Sequence, residues 1–179
     1  MFYQQEYASP VGKLLLAGNE EGLAGLWREE YCSHLPEFDG EEIVTGTCPV
    51  LEVTKDWLDR YFDGDAAPPD QIPLAPRGSA FRREVWEIIR GIPYGCLMTY
   101  GEIARILAKR RGIARMSAQA VGGATGHNPI SILVPCHRVV GSGGNLTGYG
   151  GSMWVKKWLL SHEGVDLSGF RDPAETPSR

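Results

Sequence analysis

Several kinds of signal are missing from this chain, and each absence excludes a class of protein. No apolar run approaches the roughly 20 residues that a helix needs to cross a bilayer. The N-terminal stretch lacks a basic leader, and its apolar residues come too late for a signal peptide. The four cysteines (Cys32, Cys48, Cys96 and Cys136) are irregularly spaced, which fits reduced thiols better than a disulfide framework. We therefore expect a cytoplasmic protein with no membrane partner.

The first half of the chain also lacks a pattern that demands a metal or a cofactor. Cys32, His34 and Cys48 carry side chains that bind metals, but they include no paired Cys-x-x-Cys and no clear fourth ligand. No acid pair or glycine loop in this half has a spacing that requires chemistry. The sequence therefore disfavours a metal site, and no cofactor is expected.

Charge is present but unevenly distributed over the 179 residues, whose net charge is -4. Residues 1–76 hold 4 basic and 15 acidic side chains, a net charge of -11, whereas residues 77–165 hold 12 and 4, a net charge of +8. Such a basic excess is expected of a segment that meets phosphates, although a solvated basic face would give the same count. The sign changes within a proline-containing stretch, Asp63 to Pro76, which predicts a domain boundary there. We expect domains at 1–76 and 77–165, followed by a flexible tail at 166–179.

The first domain is predicted to contain a small sheet and one helix. Alternating apolar residues and two short turn signals predict an antiparallel meander of three strands, at Phe2–Ala8, Val11–Ala17 and Gly22–Trp27. Apolar residues from Cys48 to Phe62 recur close to a helical period, with Pro49 acceptable in a first turn. The pattern therefore favours a sheet packed with an amphipathic helix.

The second domain is predicted to be mainly helical. Periodicity and cap residues predict helices at Ser79–Arg90, at Tyr100 to about Ala108 after Thr99, at Ala118–Ala124 after Ser117, and at Ser152–His162. The middle two helices, joined by a basic turn at Lys109–Gly112, resemble a helix-turn-helix. Tight packing of the small-sided second helix against the core is the alternative. A strand is expected at Ile130–Val134.

One clear piece of chemistry stands out in this half, in the stretch Val134–Arg138. Cys136 next to His137 is the minimum constellation for an activated sulfur nucleophile, because a thiolate reacts and imidazole can take its proton near neutral pH. A buried cysteine beside a surface histidine would give the same pair. A glycine-rich loop, Gly141 to Gly151, follows and can offer backbone groups to a ligand.

The stretch AQAVGGATGHNPISILVPCHRVVGSGGNLTGYGG, followed by KKWLLSHEG, resembles the O6-alkylguanine-DNA alkyltransferase family, also called methylated-DNA-protein-cysteine methyltransferase. The motifs NP, PCHRV, TGYGG and LLSHE occur in order. The resemblance implies an α+β fold, with an N-terminal ribonuclease-H-like sheet-plus-helix domain and a C-terminal winged-helix-like DNA-binding domain. It also implies a monomer that flips a damaged nucleotide out of double-stranded DNA and moves an O6-alkyl group from guanine to a cysteine. O4-methylthymine is a further expected substrate, and no cofactor is implied.

Five residues receive catalytic roles from the resemblance. Cys136 would be the acceptor and His137 its base, while Glu163 would hold and polarise the imidazole. Asn128 would tie together the turn before the active segment, and Tyr100 would donate a proton to the leaving guanine. Because neighbours in an extended strand point to opposite faces, a turn at Cys136 or a bridging water is expected between sulfur and imidazole.

The resemblance also assigns residues that bind the base and the DNA. Main-chain groups of Cys136 and of three further residues would read the base edge; these are Val134, Tyr149 and Gly150. Small residues of the second short helix, Ala118, Ala120 and Gly122, would enter the minor groove, with Arg115 and Arg138 also binding DNA. Gln119 stands where better-known members insert an arginine into the base stack. Glutamine keeps hydrogen bonding but loses the charge, so attraction to phosphate would have to come from neighbouring arginines.

Three other functions are consistent with parts of the sequence. A non-catalytic sensor of alkyl damage would share the fold but lack the cysteine that this chain has. A cysteine hydrolase would use Cys136 and His137 with repeated turnover on an ester or amide. A purely structural DNA-binding module would not need Cys136 at all. Irreversible transfer of the alkyl group, with one turnover per molecule, is the function that the combined motifs favour.

Overall fold

The computed structural model describes residues 1–30, 38, 40–147 and 152–173, and the chain divides into two compact units. The first contains Met1–Ser79 and Pro129–Leu133, and the second contains Ala80–Asn128 and the described residues of Val134–Arg179. The short segment returns to the first unit through two backbone hydrogen bonds, in which Leu26 donates to Pro129 and Ser131 donates to Leu26, each at 2.8 Å. No helix within the described ranges is both long and apolar enough to cross a membrane.

The first unit is built on a four-stranded sheet. The predicted meander is confirmed as β1 (Phe2–Ser9), β2 (Gly12–Asn19) and β3 (Gly22–Arg28), with antiparallel pairing. A fourth strand, β4 (Ile43–Thr45), pairs in parallel with β1, so the order is β3-β2-β1-β4. β4 was not predicted, because three residues are too few to establish an alternating pattern.

The predicted helix of the first unit is confirmed as α1 (Pro49–Phe62), which packs on the sheet. Its buried side chains include Leu51, Leu58 and Tyr61. The helix and sheet approach closely at Gly18, where an added Cβ would lie 2.8 Å from a methyl carbon of Val50. Burial of this apolar stripe supplies much of the core of the unit.

The second unit contains four helices and a two-stranded parallel sheet. The helices are α2 (Ala80–Arg90), α3 (Tyr100–Arg111), α4 (Ala118–Gly126) and α5 (Met153–His162). The strands are β5 (Met98–Thr99) and β6 (Val139–Val140), and short 3-10 helices cover Cys136–Arg138 and Ser142–Gly144. The α+β fold class, with an N-terminal sheet domain and a C-terminal helical domain, is confirmed.

The end of α3 differs from the prediction. Lys109, Arg110 and Arg111 were expected in a turn, but they form the last turn of the helix, which ends at Gly112 in the left-handed conformation (φ 63°). Positive side chains at a helix C-terminus interact favourably with the helix dipole. Basic residues before a glycine therefore extend this helix instead of ending it.

The strand expected at Ile130–Val134 is absent from the structure. Only Ile130 makes an isolated bridge, with Leu26, and residues 131–133 form a turn. Ile132 has a φ of 71°, a left-handed conformation that breaks an extended strand. The secondary structure of an apolar run of this length cannot be decided from sequence alone. Here the run is buried as a turn in the core of the first unit.

The flexible tail expected after residue 165 is also corrected, for the residues up to 173. Arg171 pairs with the glycine-rich segment, since its N–H donates to Gly144 and its carbonyl accepts from Leu146, at 2.8 and 2.9 Å. Phe170 packs on a buried cluster that includes Leu146 and Leu160. Residues 174–179 lie outside the described part of the chain. Isolated apolar residues without periodicity gave no sign of this pairing.

Candidate active site

Cys136 lies at the start of a tight turn in the second unit. It opens the 3-10 helix Cys136–Arg138, and its N–H donates to Val134 at 2.7 Å. The residue is 8% exposed. The structure thus has the turn that was expected at this position, and the turn frees Cys136 and His137 from the opposed directions of a strand.

His137 is fully buried and held by Glu163. Its Nε2 lies 2.6 Å from Glu163 Oε1, whereas its Nδ1 has no hydrogen-bonding partner among the described residues. Burial lowers the pKa of the His137 imidazole although Glu163 opposes the shift, so the ring is neutral at pH 7. The Nε2–H of the neutral ring donates to the carboxylate, which leaves the lone pair on Nδ1 and makes that atom a proton acceptor.

Arg138 was predicted to bind DNA, and its position corrects that prediction. Its side chain is buried, and its guanidinium donates to both carboxylate oxygens of Glu163, each at 2.9 Å. It also donates to the carbonyl of Ile92 at 2.5 Å. A buried carboxylate needs a paired charge, so Arg138 is occupied in stabilising Glu163 and is not available to a phosphate.

Glu163 gathers a dense set of donors from separate segments. Besides His137 and Arg138, the backbone N–H of Gly95 donates to Oε2 at 3.2 Å. Burial alone would raise the pKa of this carboxyl, but the hydrogen bonds from His137 and Arg138 and the positive charge of Arg138 outweigh it and hold the pKa far below its ordinary value. Glu163 is therefore a permanent anion beside the imidazole.

Asn128 and Val134 close the segment that precedes the cysteine. Asn128 Nδ2 donates to the carbonyl of Val134 at 2.7 Å, as expected for an amide that ties a turn to the backbone. The same carbonyl accepts from Cys136 N–H, so both of its lone pairs are occupied. The carbonyl of Val134 thus holds the turn, and the prediction that main-chain groups of Val134 read the base edge stays a prediction.

Lys156 is a site residue that the sequence reasoning missed. It is fully buried, and its Nζ donates to the carbonyls of Val139 at 2.6 Å and Thr147 at 2.9 Å. Burial lowers its pKa to about 8. A signal was available, since Lys156 shares a helical face with Leu159 and Leu160, where a charged residue is unexpected.

The thiol of Cys136 experiences opposing influences. Burial raises the pKa of Cys136, whereas a hydrogen bond from the Asn128 side chain and the positive charge of Lys156 lower it. Burial dominates, so the resting group is a neutral thiol. Asn128 and Lys156 are the groups that would stabilise the thiolate once a base removes the proton.

A cleft of about 730 Å³ lies in the same unit. Residues of α3, α4 and the glycine-rich segment line it; they are Thr99, Tyr100, Gly101, Arg105, Ala118, Gln119, Gly122, Gly123, Ser142 and Thr147. Tyr100 lies at the first position of α3, and its hydroxyl donates to Thr147 at 3.0 Å. Burial raises the pKa of Tyr100, so its hydroxyl keeps its proton at pH 7.

The small-sided helix forms one wall of this cleft. Ser117 caps α4 by accepting from Ala120 N–H at 3.2 Å, as predicted. Gln119, Ala118 and Gly122 line the cleft, whereas Ala120 and Arg115 are exposed and do not belong to its lining. The alternative, that α4 is simply a tightly packed core helix, accounts for Val121 and Ala124 but not for its exposed first turn.

Some predicted residues cannot be placed. Tyr149 and Gly150, expected to read the base, lie outside the described residues, and so do Cys32 and His34. Within the described ranges, no group of three or more His, Cys, Asp or Glu side chains could hold a metal ion.

Both halves of the chain match domains of one protein family. Residues 2–76 match the ribonuclease-like domain of 6-O-methylguanine DNA methyltransferase, and residues 80–165 match its DNA binding domain. Together these two segments account for most of the sequence.

Individual relatives agree along nearly their whole length. The methylated-DNA–protein-cysteine methyltransferase of Shigella flexneri is 41% identical over 172 residues, which covers 92% of this chain and 96% of the relative. That of Haemophilus influenzae is 37% identical, with 91% and 87% covered. The crystal structure of Mycobacterium tuberculosis OGT in complex with DNA is 39% identical, with a TM-score of 0.74 and 90% and 92% covered. With a buried Cys-His-Glu set in its second unit and both domains matched, this chain belongs to the 6-O-methylguanine DNA methyltransferase family.

Proposed function

We propose that the protein repairs DNA by moving the O6-alkyl group of guanine irreversibly to Cys136. One observation carries this proposal. Buried Glu163 is hydrogen-bonded to His137, which directly follows Cys136 at the start of a tight turn. The relatives are named for the same transfer of a methyl group from DNA to a protein cysteine. O4-methylthymine is a second substrate of the same chemical kind.

The first step is formation of the thiolate. His137 takes the Cys136 proton at Nδ1, directly or through a water, and Glu163 stabilises the imidazolium that forms. The amide of Asn128 and the ammonium of Lys156 stabilise the negative sulfur. Burial keeps the thiol neutral until a substrate is present, which limits side reactions of the cysteine.

The second step is displacement at the alkyl carbon. A new S–C bond forms as the O6–C bond breaks, and the electron pair of that bond passes to the guanine. Tyr100 donates a proton to the departing base; the proposal is supported by its position in the lining of the cleft and by a raised pKa, which keeps its hydroxyl protonated. The product on the protein is a thioether, a poor leaving group at neutral pH, so each molecule reacts once.

DNA enters through the cleft beside α4. Ala118 has only a methyl side chain and Gly122 has none, so the DNA backbone along a minor groove can approach α4 closely. Gln119 fills the gap left by an extruded nucleotide. Ala120 and Arg115 lie exposed near the start of the same helix and contact the flanking DNA. We expect the main chain of Cys136 to form part of the base pocket, together with that of Tyr149 and Gly150, which lie outside the described residues. The protein acts as a monomer in the cytoplasm, where its cysteine stays reduced.

The test is incubation of the protein with a duplex containing O6-methylguanine, followed by intact-mass measurement and peptide mapping. The expected result is one added methyl group on Cys136, with no addition in Cys136→Ser. Cys96→Ser is the matched control, because Cys96 is a free but exposed cysteine, and this variant should react fully. Absence of an adduct in the wild-type protein under conditions where it binds the duplex would exclude the proposal.

The same experiment separates the other functions. A cysteine hydrolase would release product repeatedly from an ester or amide and leave Cys136 unmodified. A lesion sensor or a structural DNA-binding module would bind the duplex, and replacement of Cys136 would not change what it does. Stoichiometric labelling of Cys136 is inconsistent with all three.

A further inference from the structure

The cleft beside α4 contains an arginine that the resemblance to the family did not assign. Among the described residues that line the cleft, Arg105 is the only one with a charged side chain. It comes from α3, the wall opposite the helix that carries Gln119 in the helix-turn-helix pair. The cleft therefore has a positive charge, although Gln119 contributes none.

The side chain of Arg105 lines the cleft and is exposed to solvent. Its Nε donates to the carbonyl of Gly101, one turn earlier in α3, at 3.4 Å, so the side chain lies along the preceding turn of the helix. Arg105 is exposed and forms no ion pair within 4.0 Å with a described carboxylate. The terminal nitrogens of its guanidinium are thus open to solvent or a ligand.

The nearest acid along the helix, Glu102, attracts this arginine electrostatically but forms no ion pair with it within 4.0 Å. Glu102 Oε2 accepts from Thr99 N–H at 2.7 Å and from Thr99 Oγ1 at 2.9 Å, as part of the capping box of α3. Its carboxylate is held at the helix N-terminus. Arg105 has no such structural task beyond a single long hydrogen bond to Gly101.

Two other basic residues of α3 are engaged elsewhere, and the third, Lys109, does not belong to the lining of the cleft. Arg111 donates two hydrogen bonds to Glu84 and lies over the ring of Phe81, and Arg110 lies 3.7 Å from Glu87. Neither of these arginines lines the cleft. The basic segment at the end of α3 therefore serves in part to join α3 to α2. Arg105 is the basic residue of α3 that lines the cleft.

We propose that Arg105 binds a DNA backbone phosphate next to the extruded nucleotide and supplies the positive charge that Gln119 does not. This inference rests on the proposed function, because it assigns the cleft to DNA. A guanidinium can form paired hydrogen bonds with phosphate oxygens, and each phosphate that is neutralised releases counterions. Small residues of α4 and Ser142 also line the cleft, and their small side chains leave room for the DNA backbone.

The test measures how DNA affinity depends on salt, in full-length protein carrying Cys136→Ser so that no transfer occurs. We expect Arg105→Gln to reduce the slope of log affinity against log salt concentration by about one, as for the loss of one phosphate contact. Arg105→Lys should retain the slope, since the charge remains. Arg110→Gln is the matched control, with the same change on the same helix outside the cleft, and should leave the slope unchanged.

A further variant links Arg105 to Gln119. Adding Gln119→Arg to Arg105→Gln should restore the slope, because it returns a cation to the cleft. An unchanged slope in Arg105→Gln, or an equal reduction in Arg110→Gln, would overturn the proposal. Methyl transfer by the wild-type protein is measured separately, so a failure of the proposed function would appear as no adduct on Cys136, independently of these slopes.

Discussion

At the scale of single residues, Glu163 joins most of the buried polar groups of the site. It is the shared acceptor for His137, Arg138 and Gly95, so replacing it by an uncharged side chain leaves Arg138 buried without its counterion. We predict that Glu163→Gln lowers the free energy of unfolding by about 3–5 kcal/mol at pH 7 and slows methyl transfer. Urea denaturation and single-turnover kinetics would measure the two effects.

The pH dependence of that loss follows from the lowered pKa of Glu163. A carboxyl whose folded pKa lies below its ordinary value of 4.5 stabilises the protein above pH 4.5, and this contribution is lost as the pH falls further. The difference in stability between wild type and Glu163→Gln should therefore shrink below pH 4.5. Glu6→Gln, which alters an exposed partner of Lys13, is the control and should show neither effect. A difference that stays constant down to pH 3 would contradict the assigned ionisation.

Lys156 gives a second prediction, on the ease of forming the thiolate. Because its positive charge lowers the pKa of Cys136, Lys156→Met should shift the pH profile of methyl transfer to higher pH and reduce the rate at pH 7. Single-turnover rates between pH 6 and 9 would show the shift. Lys157→Met removes the neighbouring charge, which pairs with Asp172 at 2.5 Å, and should leave the profile in place. Identical profiles for the two variants would show that Lys156 acts only through packing.

Some residues of this site could be assigned a role from the sequence, and others could not. Cys136, His137, Glu163 and Asn128 lie in recognisable motifs, so their proximity could be predicted before the fold was known. The role of Arg138 could not, because an arginine beside a DNA-binding motif gives no sign that a distant carboxylate, Glu163, holds it inside the protein. Pairing between segments 25 residues apart is a property of the tertiary fold.

At the scale of secondary structure elements, the start of α3 connects stability to the active site. Thr99 Oγ1 accepts from Glu102 N–H at 3.1 Å in a reciprocal capping box, and the next residue is Tyr100. We predict that Thr99→Ala lowers the free energy of unfolding by about 1 kcal/mol and slows transfer by displacing Tyr100. Chemical denaturation and single-turnover rates would test this.

The cap of the other short helix provides the comparison. Ser117→Ala removes the equivalent hydrogen bond of α4, from Ala120 N–H, and should cost a similar stability of about 1 kcal/mol. Because Ser117 is next to Ala118 and Gln119 and not to Tyr100, its loss should weaken DNA binding more than it slows transfer from bound DNA. An equal effect of both variants on the bound-state rate would contradict the separate roles of α3 and α4.

The C-terminal segment is a second element with a testable contribution. Phe170 packs on Leu146 and Leu160, next to the backbone pairing that holds the glycine-rich segment. We predict that Phe170→Ala lowers the free energy of unfolding by about 1–2 kcal/mol, since the ring is only partly buried. Ile113→Ala removes an apolar side chain that is 45% exposed and serves as the control, with little expected effect. Equal stability of the Phe170→Ala variant and the wild type would show that the segment is not held in place by this packing.

Elements with a sustained period could be predicted, and short or aperiodic ones could not. The strands of the meander and α1, α2 and α5 follow repeating patterns that survive in the fold. β4 is too short to show a period, and the turn at residues 131–133 has the composition of a strand. What decides these segments is the space and the backbone partners that other parts of the unit provide.

At the scale of the whole molecule, the charge separation along the chain corresponds to its two units. The acidic residues 1–76 fall in the unit that contains the four-stranded sheet, and the basic residues 77–165 fall mostly in the unit that contains the cleft. Although the net charge of the chain is -4, residues 77–165 are basic enough to attract a polyanion such as DNA. The sequence indicated this separation, but the return of Pro129–Leu133 to the first unit appears only in the fold.

A consequence for the whole molecule is that repair should destabilise the protein. Cys136 is 8% exposed in a close-packed turn, so a methyl group on its sulfur must displace neighbouring atoms, at a cost of about 1–3 kcal/mol. For a chain of this size, we predict a Tm roughly 2–10 °C lower after stoichiometric methylation. Thermal unfolding would be compared with protein exposed to an undamaged duplex, and with Cys96→Ser methylated at Cys136 to the same extent. An unchanged Tm at full methylation would mean that the site already has room for the added methyl group. Burial of Cys136 would then limit access to the thiol without destabilising the methylated protein.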